Sequence, residues 1–332
     1  MPQVTSSLVW SDRWGTWKAR WGIGRMNYKV DPGLYALGNP DDKAPVLVTA
    51  NYKMSFDKLR EALPGRDVWI LVLDTRGINV WCAAGKGTFG TKELVGRIQS
   101  SGLTQAVSHR EVIVPQLAGP GVSAHLVKKL SGFKVIYGPI RAIDLPAFWD
   151  AGMKATPEMR LKTFTTWERM ALIPMELVGA LKTSFPVLIF FFFADSLWRA
   201  GGFWTNASSD GLFSVLAILM AILAGAVLTP LLLPWLPGRA FSLKGLILGI
   251  FVALFFVSIR WSQWDTWAGR LEVAAWFLFI PAVSAYWAMN FTGASTYTSL
   301  SGVKKEMRWA VPLQIAAGIS GLGLWLGSHL IS

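Results

Sequence analysis

Five long apolar runs in the second half of the chain constrain its fold more than any other feature. They cover approximately residues 172–198, 212–235, 243–260, 271–289 and 310–331. Each run approaches the ~20 residues that a helix needs to cross the hydrocarbon core of a bilayer. The composition agrees, since 52% of the 332 residues are hydrophobic and 18 are tryptophan, which is enriched at membrane interfaces. We predict an all-α membrane domain of about five transmembrane helices over residues 172–332.

Charged residues beside these runs predict an orientation, because loops on the cytoplasmic side carry an excess of Lys and Arg. The basic residues concentrate in a connector, residues 153–171, and in the loops 236–242 and 290–309. The N-terminal stretch lacks the basic-then-apolar pattern of an export signal. We therefore expect a multi-pass protein of the cytoplasmic (inner) membrane, in contact with lipid, with its N-terminal domain in the cytoplasm and its C-terminus outside. The net charge of +12 is explained by topology rather than by nucleic-acid binding.

The first half of the chain predicts a soluble α/β domain. In residues 1–44, tryptophans recur three or four positions apart, as on one face of an amphipathic helix that packs on the domain or lies at the membrane surface. Residues 45–152 alternate short strands with helices, which predicts a Rossmann-like domain with a parallel sheet covered on both faces. Strands are expected at 45–50, 68–73, 105–107, 112–114 and 134–137, and helices at 55–63, 122–130 and 142–149.

Ligands of such sheets bind at the carboxyl ends of the strands. Four segments fall at predicted strand ends: Thr49 to Asn51, the octet 79–86, Val114 to Gln116, and the turn that contains Tyr137 and Gly138. We expect them to form one rim of the sheet and to bind a ligand there.

The octet reads Asn79-Val80-Trp81-Cys82-Ala83-Ala84-Gly85-Lys86 and contains the one cysteine of the chain. It follows the strand at 68–73 and precedes a helical pattern, so Cys82 is expected at or just before a helix N-terminus. Unpaired backbone N–H groups and the helix dipole stabilise negative charge there, and Lys86 adds a cation. These conditions favour the thiolate, the form that acts as a nucleophile or a metal ligand.

The residues alone leave several interpretations of this segment open. The run from Gly85 to Gly90 matches G-x-G-x-x-G, but it lies well beyond the strand rather than in its first turn, so the signal for dinucleotide binding is weak. A cysteine hydrolase would need a histidine base, for which His109 and His125 are candidates. Cys82 could also be an inert packing residue.

The octet resembles the signature of the mercury-methylation corrinoid proteins at all eight positions. The surrounding domain is also similar to the corrinoid-binding domain of the corrinoid iron–sulfur protein of acetyl-CoA synthesis, with Thr49, Asn51, Tyr137 and Gly138 in matching segments. The resemblance implies a cobalamin or related corrinoid as cofactor. It further implies that the thiolate of Cys82 is the lower axial ligand of cobalt, in place of the D-x-H-x-x-G histidine, a motif that this sequence lacks.

The other octet residues have expected roles at the corrinoid. Ala83, Ala84 and Gly85 are small enough for the helix start to lie close beneath a flat macrocycle. Asn79 and Trp81 are expected to fix the turn or to contact the edge of the ring, and packing is an equal alternative for Trp81.

The resemblance implies a corrinoid-dependent methyltransferase that forms methylmercury from inorganic Hg(II). The methyl group would come from a methyl-tetrahydrofolate-type donor or its methyltransferase. A single cysteine cannot by itself hold an iron–sulfur cluster of four cysteines, so electrons would come from a small ferredoxin-like partner. The alternative function is a membrane transporter or sensor with a nucleotide-binding cytoplasmic domain.

Overall fold

A six-stranded sheet is the centre of the N-terminal half in a computed structural model, which describes residues 1–199, 201–294 and 297–331. The strands lie in the order β1-β2-β4-β3-β5-β6. Neighbours from β4 to β6 pair in parallel, whereas β2 pairs antiparallel with β4. The strands are β1 (Gln3–Val4), β2 (Gly33–Leu37), β3 (Val46–Ala50), β4 (Val68–Leu73), β5 (Glu111–Val114) and β6 (Lys134–Tyr137).

This strand order creates a switch point between β3 and β5. The chain proceeds from β3 outward to β4 on one side, then returns to form β5 and β6 on the other, so the connections leave β3 and β5 in opposite directions. A crevice forms at the carboxyl ends of the strands where such a reversal occurs. The topology therefore predicts ligand binding at the carboxyl ends of β3 and β5.

Several helices cover the sheet, and both faces carry an apolar core. Val48 and Val114 belong to one core cluster, whereas Leu47 and Ile113 point into the other, as the alternation of side chains along a strand requires. The helices are α1 (Trp10–Arg20), α2 (Lys53–Glu61), α3 (Val80–Lys86), α4 (Thr91–Ser100), α5 (Leu103–Ala106), α6 (Ala124–Ser131) and α7 (Leu145–Asp150).

The prediction of an α/β domain is confirmed, but two details were wrong. The sheet is mixed rather than parallel, because β2 pairs antiparallel with β4 and β1 pairs with β2 at the edge, and the sequence analysis predicted neither strand. Residues 105–107 do not form a strand; α5 occupies most of this segment. A run of three residues is too short for its periodicity to distinguish a strand from a helical turn.

Asn51, which directly follows β3, holds the loop between β4 and α3. Its side-chain oxygen accepts hydrogen bonds from the backbone N–H of Thr75 at 3.1 Å, the Thr75 hydroxyl at 2.9 Å and the backbone N–H of Gly77 at 2.9 Å. Its side-chain nitrogen donates to Asp74 at 3.1 Å. Asn51 and Thr75 are buried, so these bonds replace water as the partners of the loop and fix where α3 begins.

A cluster of four charged side chains attaches α1 to α2. Asp12 accepts from Lys53 at 2.7 Å and from Arg60 at 2.6 Å, and both cations also contact Asp57. Burial alone would raise the pKa of Asp12, but the hydrogen bonds from Lys53 and Arg60 outweigh it and hold this pKa below its usual value. The tryptophans Trp10, Trp14 and Trp17 remain exposed on the opposite side of α1.

The chain divides into two units after Thr163. Among the described residues of the second unit, five helical segments are long and apolar enough to cross a membrane: Thr166–Trp198, Phe203–Leu232, Phe241–Ile259, Trp267–Asn290 and Ser301–Ile331. They contain the helices α8 (Thr166–Met170), α9 (Ile173–Trp198), α10 (Phe203–Asn206), α11 (Leu212–Leu223), α12 (Thr229–Leu232), α13 (Phe241–Ile259), α14 (Trp267–Asn290) and α15 (Leu300–Ile331). The five predicted spans overlap these segments.

A buried cluster of charged residues joins these helices. Arg199 on α9 contacts Glu272 on α14 at 2.6 Å and Asp210, which precedes α11, at 3.5 Å. Asp210 also pairs with Arg260 beyond the end of α13 at 2.6 Å. Asp195, one turn before Arg199, accepts hydrogen bonds from Ser214, Trp325 and His329. These charged residues near the ends of the apolar helices thus have charged or hydrogen-bonding partners instead of standing alone in the apolar surroundings.

We expect Asp12→Ala to detach α1 locally, because the substitution leaves Lys53 and Arg60 with one carboxylate between them. The free energy of local opening should fall by about 3 kcal/mol, the cost of removing one partner of a buried ion pair. Hydrogen–deuterium exchange of α1 in the full-length protein measures it. Glu61→Ala, which breaks the exposed Lys58–Glu61 pair on α2, is the control and should change protection by less than about 0.5 kcal/mol.

The same exchange measurement, repeated at several pH values, tests the ionisation of Asp12. Because the pKa of Asp12 is lowered by folding, its contribution is present above the ordinary value of 3.8 and is lost as the pH falls through the lowered pKa. In Asp12→Ala, the protection of α1 should not show this loss of stability as the pH falls. Equal protection in the variant and the wild type at neutral pH would contradict the assigned role.

We expect Asn51→Ala to loosen the loop that precedes α3. The backbone N–H groups of Thr75 and Gly77 lose their acceptor, whereas the Thr75 hydroxyl keeps the Ile78 carbonyl at 2.6 Å. Since an unpaired buried group costs roughly 1–3 kcal/mol, the local stability should fall by about 3 kcal/mol. Hydrogen–deuterium exchange of residues 74–86 measures the loss. Asn39→Ala, at an exposed site, should leave that segment unchanged; unchanged exchange in Asn51→Ala would show that other contacts hold the loop.

Candidate functional site

Cys82 lies in the first turn of α3, beyond the carboxyl end of β4. Asn79 is the N-cap of this helix, and its side-chain oxygen accepts a hydrogen bond from the backbone N–H of Cys82 at 2.9 Å. This is the N-cap contact to the third helical residue that asparagine commonly makes. The cysteine is free and exposed. An accessible sulfur at a helix start is chemically competent as a nucleophile or as a metal ligand.

The octet presents different residues to the core and to the surface. Ala83 and Ala84 are buried in the core cluster that also contains Phe89. Gly85 and Lys86, three and four positions after Cys82, are exposed and lie on the same helix face as the cysteine. A Cβ atom added at Gly85 would meet no described heavy atom within 4 Å. The surface beside the sulfur is therefore open, and the two alanines contribute through packing underneath.

An apolar cavity of about 300 Å³ borders the start of α3. It lies at the switch point of the sheet, because its lining includes residues of both β3 and β5. Trp81, which is 37% exposed, contributes to the lining. The residues around the cavity are Leu47, Val48, Thr49, Ser55, Lys58, Leu59, Asn79, Val80, Trp81, Ile113, Pro115, Leu117, Gly138, Pro139, Ile140, Ala142 and Leu145.

The structure brings five of the predicted site residues to this cavity: Thr49, Asn79, Val80, Trp81 and Gly138. These residues lie at or after the carboxyl ends of three strands, β3, β4 and β6, and border the same cavity, as the predicted rim requires. Cys82 does not line the cavity but directly follows three residues that do.

Two other predicted site residues make hydrogen bonds within the fold. The Asn51 side chain is occupied by the loop before α3. The Tyr137 hydroxyl donates to the Val122 carbonyl at 2.5 Å, and burial raises the pKa of this phenol. These two residues hold the rim rather than face its opening.

The sequence analysis missed the part of the cavity that helices provide. Ser55, Lys58 and Leu59 lie on α2, and Leu145 begins α7. Their positions follow strands β3 and β6, so the predicted connections could have suggested that both helices cover this face. Which helical residues reach the crevice depends on the packing angle of each helix, and the sequence pattern does not specify that angle.

The geometry weakens two alternative interpretations. The glycine run from Gly85 to Gly90 joins α3 to α4, and Gly87 ends α3 in the left-handed conformation, so the run does not form the first turn after a strand that dinucleotide binding requires. His109 precedes β5, at the amino end of the strand, and contacts the Ala44 carbonyl at 3.0 Å. His125 contacts the Ser123 hydroxyl at 3.0 Å. These contacts give no support to a cysteine–histidine pair.

Among the described residues, no group of three or more His, Cys, Asp or Glu side chains is arranged to hold a metal ion. A metal bound at Cys82 would therefore need most of its ligands from elsewhere. A cofactor that supplies its own ligands would satisfy this requirement.

Comparison with known proteins shows that this unit is similar in sequence to subunits of acetyl-CoA synthase and decarbonylase complexes. Residues 23–147 match the family described as CO dehydrogenase/acetyl-CoA synthase delta subunit. Acetyl-CoA decarbonylase/synthase complex subunit gamma of Methanopyrus kandleri is 32% identical over 126 residues, which is 37% of this chain and 27% of the relative. The Methanocaldococcus jannaschii subunit gamma is 36% identical over 96 residues, 28% of this chain and 20% of the relative.

A third relative, subunit gamma 2 of Methanosarcina thermophila, is 33% identical over 130 residues, 38% of this chain and 27% of the relative. The chain thus spans about a quarter of the length of the curated relatives that it matches. The family match lies entirely within the α/β unit and includes every residue of the candidate site. The likeness therefore concerns the sheet, its switch point and the octet, and not the apolar helices.

Proposed function

We propose that the α/β unit binds cobalamin or a related corrinoid and takes part in methyl transfer, with Cys82 as the lower axial ligand of cobalt. The observation that carries this proposal is the exposed thiol at the start of α3, next to the apolar cavity at the switch point of the sheet. The similarity to subunits of the acetyl-CoA decarbonylase/synthase complex supports it, because it covers this region.

The residues present fit a corrinoid. The macrocycle provides four equatorial nitrogen ligands for its cobalt, so a single protein sulfur completes the lower side. Gly85 leaves the surface beside Cys82 open to a flat ring, and the buried Ala83 and Ala84 do not project above it. The cavity lined by Thr49, Trp81 and other residues offers apolar surface for a peripheral part of the same cofactor.

The cofactor, when bound, supplies the cobalt that carries a methyl group; the protein tunes and orients it. Asn79 holds the backbone of Cys82 through the N-cap bond and so fixes the position of the sulfur. Lys86 lies one turn further along the same helix face and places a cation on the surface beside Cys82. A thiolate is a soft, strongly donating ligand, which makes transfer to a soft, electrophilic acceptor favourable.

Inorganic Hg(II) is such an acceptor, and we propose it as the substrate, with methylmercury as the product. The complete octet match to the mercury-methylation proteins supports this choice over an acceptor in acetyl-CoA synthesis. The methyl donor is proposed to be methyl-tetrahydrofolate-like or its methyltransferase. The electron donor is proposed to be a small ferredoxin-like protein, because this chain has one cysteine and none to spare for a cluster.

The five apolar helices are proposed to span the cytoplasmic membrane, with the α/β unit inside and the C-terminus outside. Their length and hydropathy support insertion, and the distribution of Lys and Arg supports the orientation. A nucleotide-binding transporter or sensor remains the competing proposal. It would be favoured if the protein bound NAD and did not bind cobalamin.

We expect the full-length protein to bind cobalamin in detergent and to change its absorption spectrum through coordination by sulfur. Cys82→Ala should remove the spectral signature of sulfur coordination and lower methyl transfer to Hg(II) at least about tenfold, as the loss of a tuning ligand does. Ser108→Ala, before the amino end of β5, is the control and should match the wild type. A wild-type spectrum in Cys82→Ala would sink the assignment of the axial ligand.

Cys82→His separates cobalt binding from methyl transfer to mercury. An imidazole can occupy the axial position, so we expect the variant to retain cobalamin. Because imidazole donates less electron density than thiolate, methyl transfer to Hg(II) should be lost. Absorption spectra and a mercury-methylation assay with the same preparation measure the two effects. Full methylation by this variant would contradict a thiolate-specific mechanism.

Filling the cavity tests its part in cofactor binding. Ala142→Phe places a ring in space that the Ala142 methyl group now borders. We expect cobalamin binding to weaken at least about tenfold, which corresponds to about 1.4 kcal/mol. Ala147→Phe, at an exposed site on α7, is the matched control. Undiminished binding in a folded Ala142→Phe variant would place the cofactor elsewhere.

A further inference from the structure

A second cavity lies within the helical unit, between α13, α14 and α15. Its volume is about 320 Å³, at the low end of the range of about 300–1,000 Å³ for small-molecule sites. Most of the lining is apolar, with Leu246, Phe277, Ala282 and Trp309 as examples from the three helices. None of the residues that line it carries a charge.

Two polar side chains in this lining have no partner among the described residues. The hydroxyl oxygen of Ser242, a residue 3% exposed, makes no hydrogen bond, although its backbone N–H donates to Glu306 at 2.6 Å. The side-chain nitrogen and oxygen of Gln314 are both buried and unpaired. Leaving such a group without a partner costs roughly 1–3 kcal/mol, so the two side chains indicate that something polar is accommodated between the helices.

The chemistry of the lining limits what that molecule can be. None of the lining residues would provide a counter-charge for an ionic headgroup, and the carboxylate beside Ser242, that of Glu306, already accepts the Ser242 backbone N–H, so the lining favours a neutral ligand. Ser242 and Gln314 can each donate a hydrogen bond, and they project from different helices, α13 and α15. A ligand with acceptor oxygens at two positions can accept from both side chains, and the Gln314 side-chain oxygen would then take its hydrogen bond from a water molecule. The aromatic ring of Phe277 and the aliphatic side chains favour a flat apolar body between those oxygens.

The position of the cavity indicates the source of the ligand. Leu243 and Leu313 line it and are also exposed on the outside of the helical unit. The helices are long and apolar enough to cross a membrane, so these exposed leucines would face lipid. A ligand could then enter sideways from the bilayer and leave an apolar tail there.

We propose that this cavity binds the ring of a lipid-soluble quinone, with Ser242 and Gln314 donating hydrogen bonds to its two carbonyl oxygens. A quinone ring is neutral and flat and has carbonyls on opposite sides, and its isoprenoid tail suits the opening toward lipid. The inference concerns binding and is independent of the corrinoid at Cys82. It requires only that the five helices lie in a membrane.

The test uses the full-length protein in phosphatidylcholine nanodiscs and ubiquinone-1, a short-tailed quinone, as the probe. Equilibrium binding should saturate at one quinone per chain. Gln314→Leu and Ser242→Ala should each raise the Kd about fivefold or more, and the double variant further. Ser320→Leu, at an exposed position on α15, is the matched control and should bind like the wild type.

Folding is separated from binding by the choice of variants. Gln314→Leu removes a buried unpaired amide, so we expect thermal stability without quinone to be equal to or above that of the wild type. Ala282→Phe fills the cavity and should abolish saturable binding; circular dichroism establishes that it folds.

Three results would overturn the proposal. The first is quinone uptake that increases without saturation, which indicates partition into lipid. The second is an unchanged Kd in the Gln314→Leu and Ser242→Ala double variant. The third is tightly held phospholipid, detected by native mass spectrometry, that ubiquinone-1 does not displace but Ala282→Phe removes. That result would identify a lipid site.

Discussion

The hydrogen bonds of one buried amide side chain, that of Asn51, fix the position of the loop that leads to the exposed Cys82. Asn51 stands at the end of β3, yet its side chain binds the loop that follows β4, so two neighbouring strands control the same segment. Asn79 follows this loop, caps α3 and accepts a hydrogen bond from the backbone N–H of Cys82. The position of Cys82 thus depends on successive contacts: the buried side chain of Asn51 holds the loop, and the N-cap Asn79 holds the start of α3. The thiol lies beside the switch point because each of these contacts fixes the next.

Much of the α/β unit could be predicted from the sequence. The strands β4 and β6 have the predicted bounds because their apolar runs are flanked by clear turn residues. The strand β2 was missed since an antiparallel edge needs no crossover helix and leaves no alternating strand–helix pattern. The octet identified Cys82, but not that Ala83 and Ala84 face the core. That distinction depends on how α3 is rotated about its axis, which seven residues do not specify.

The helical unit shows a different limit of sequence reasoning. Hydropathy predicted five spans, because the length of an apolar run is a local property. The pairing of Arg199 with Glu272 could not be predicted, since the two residues come from helices far apart in the chain. The same holds for the cavity beside Ser242 and Gln314, two polar residues that the sequence analysis did not single out. In the sequence, each resembles a polar residue that a membrane helix tolerates. Only the packing of the helices shows that both line a cavity.

The accessibility of Cys82 has a consequence for the order of assembly under the proposed function. Mercury(II) binds thiols tightly, and this chain offers it a single thiol, which is exposed. A chain that met the ion before its macrocycle would have that sulfur capped by the substrate itself. Under the proposed function, the cofactor would then protect the sulfur as well as carry the methyl group. The rate of corrinoid loading, relative to the arrival of the metal, would set the fraction of chains that ever become active.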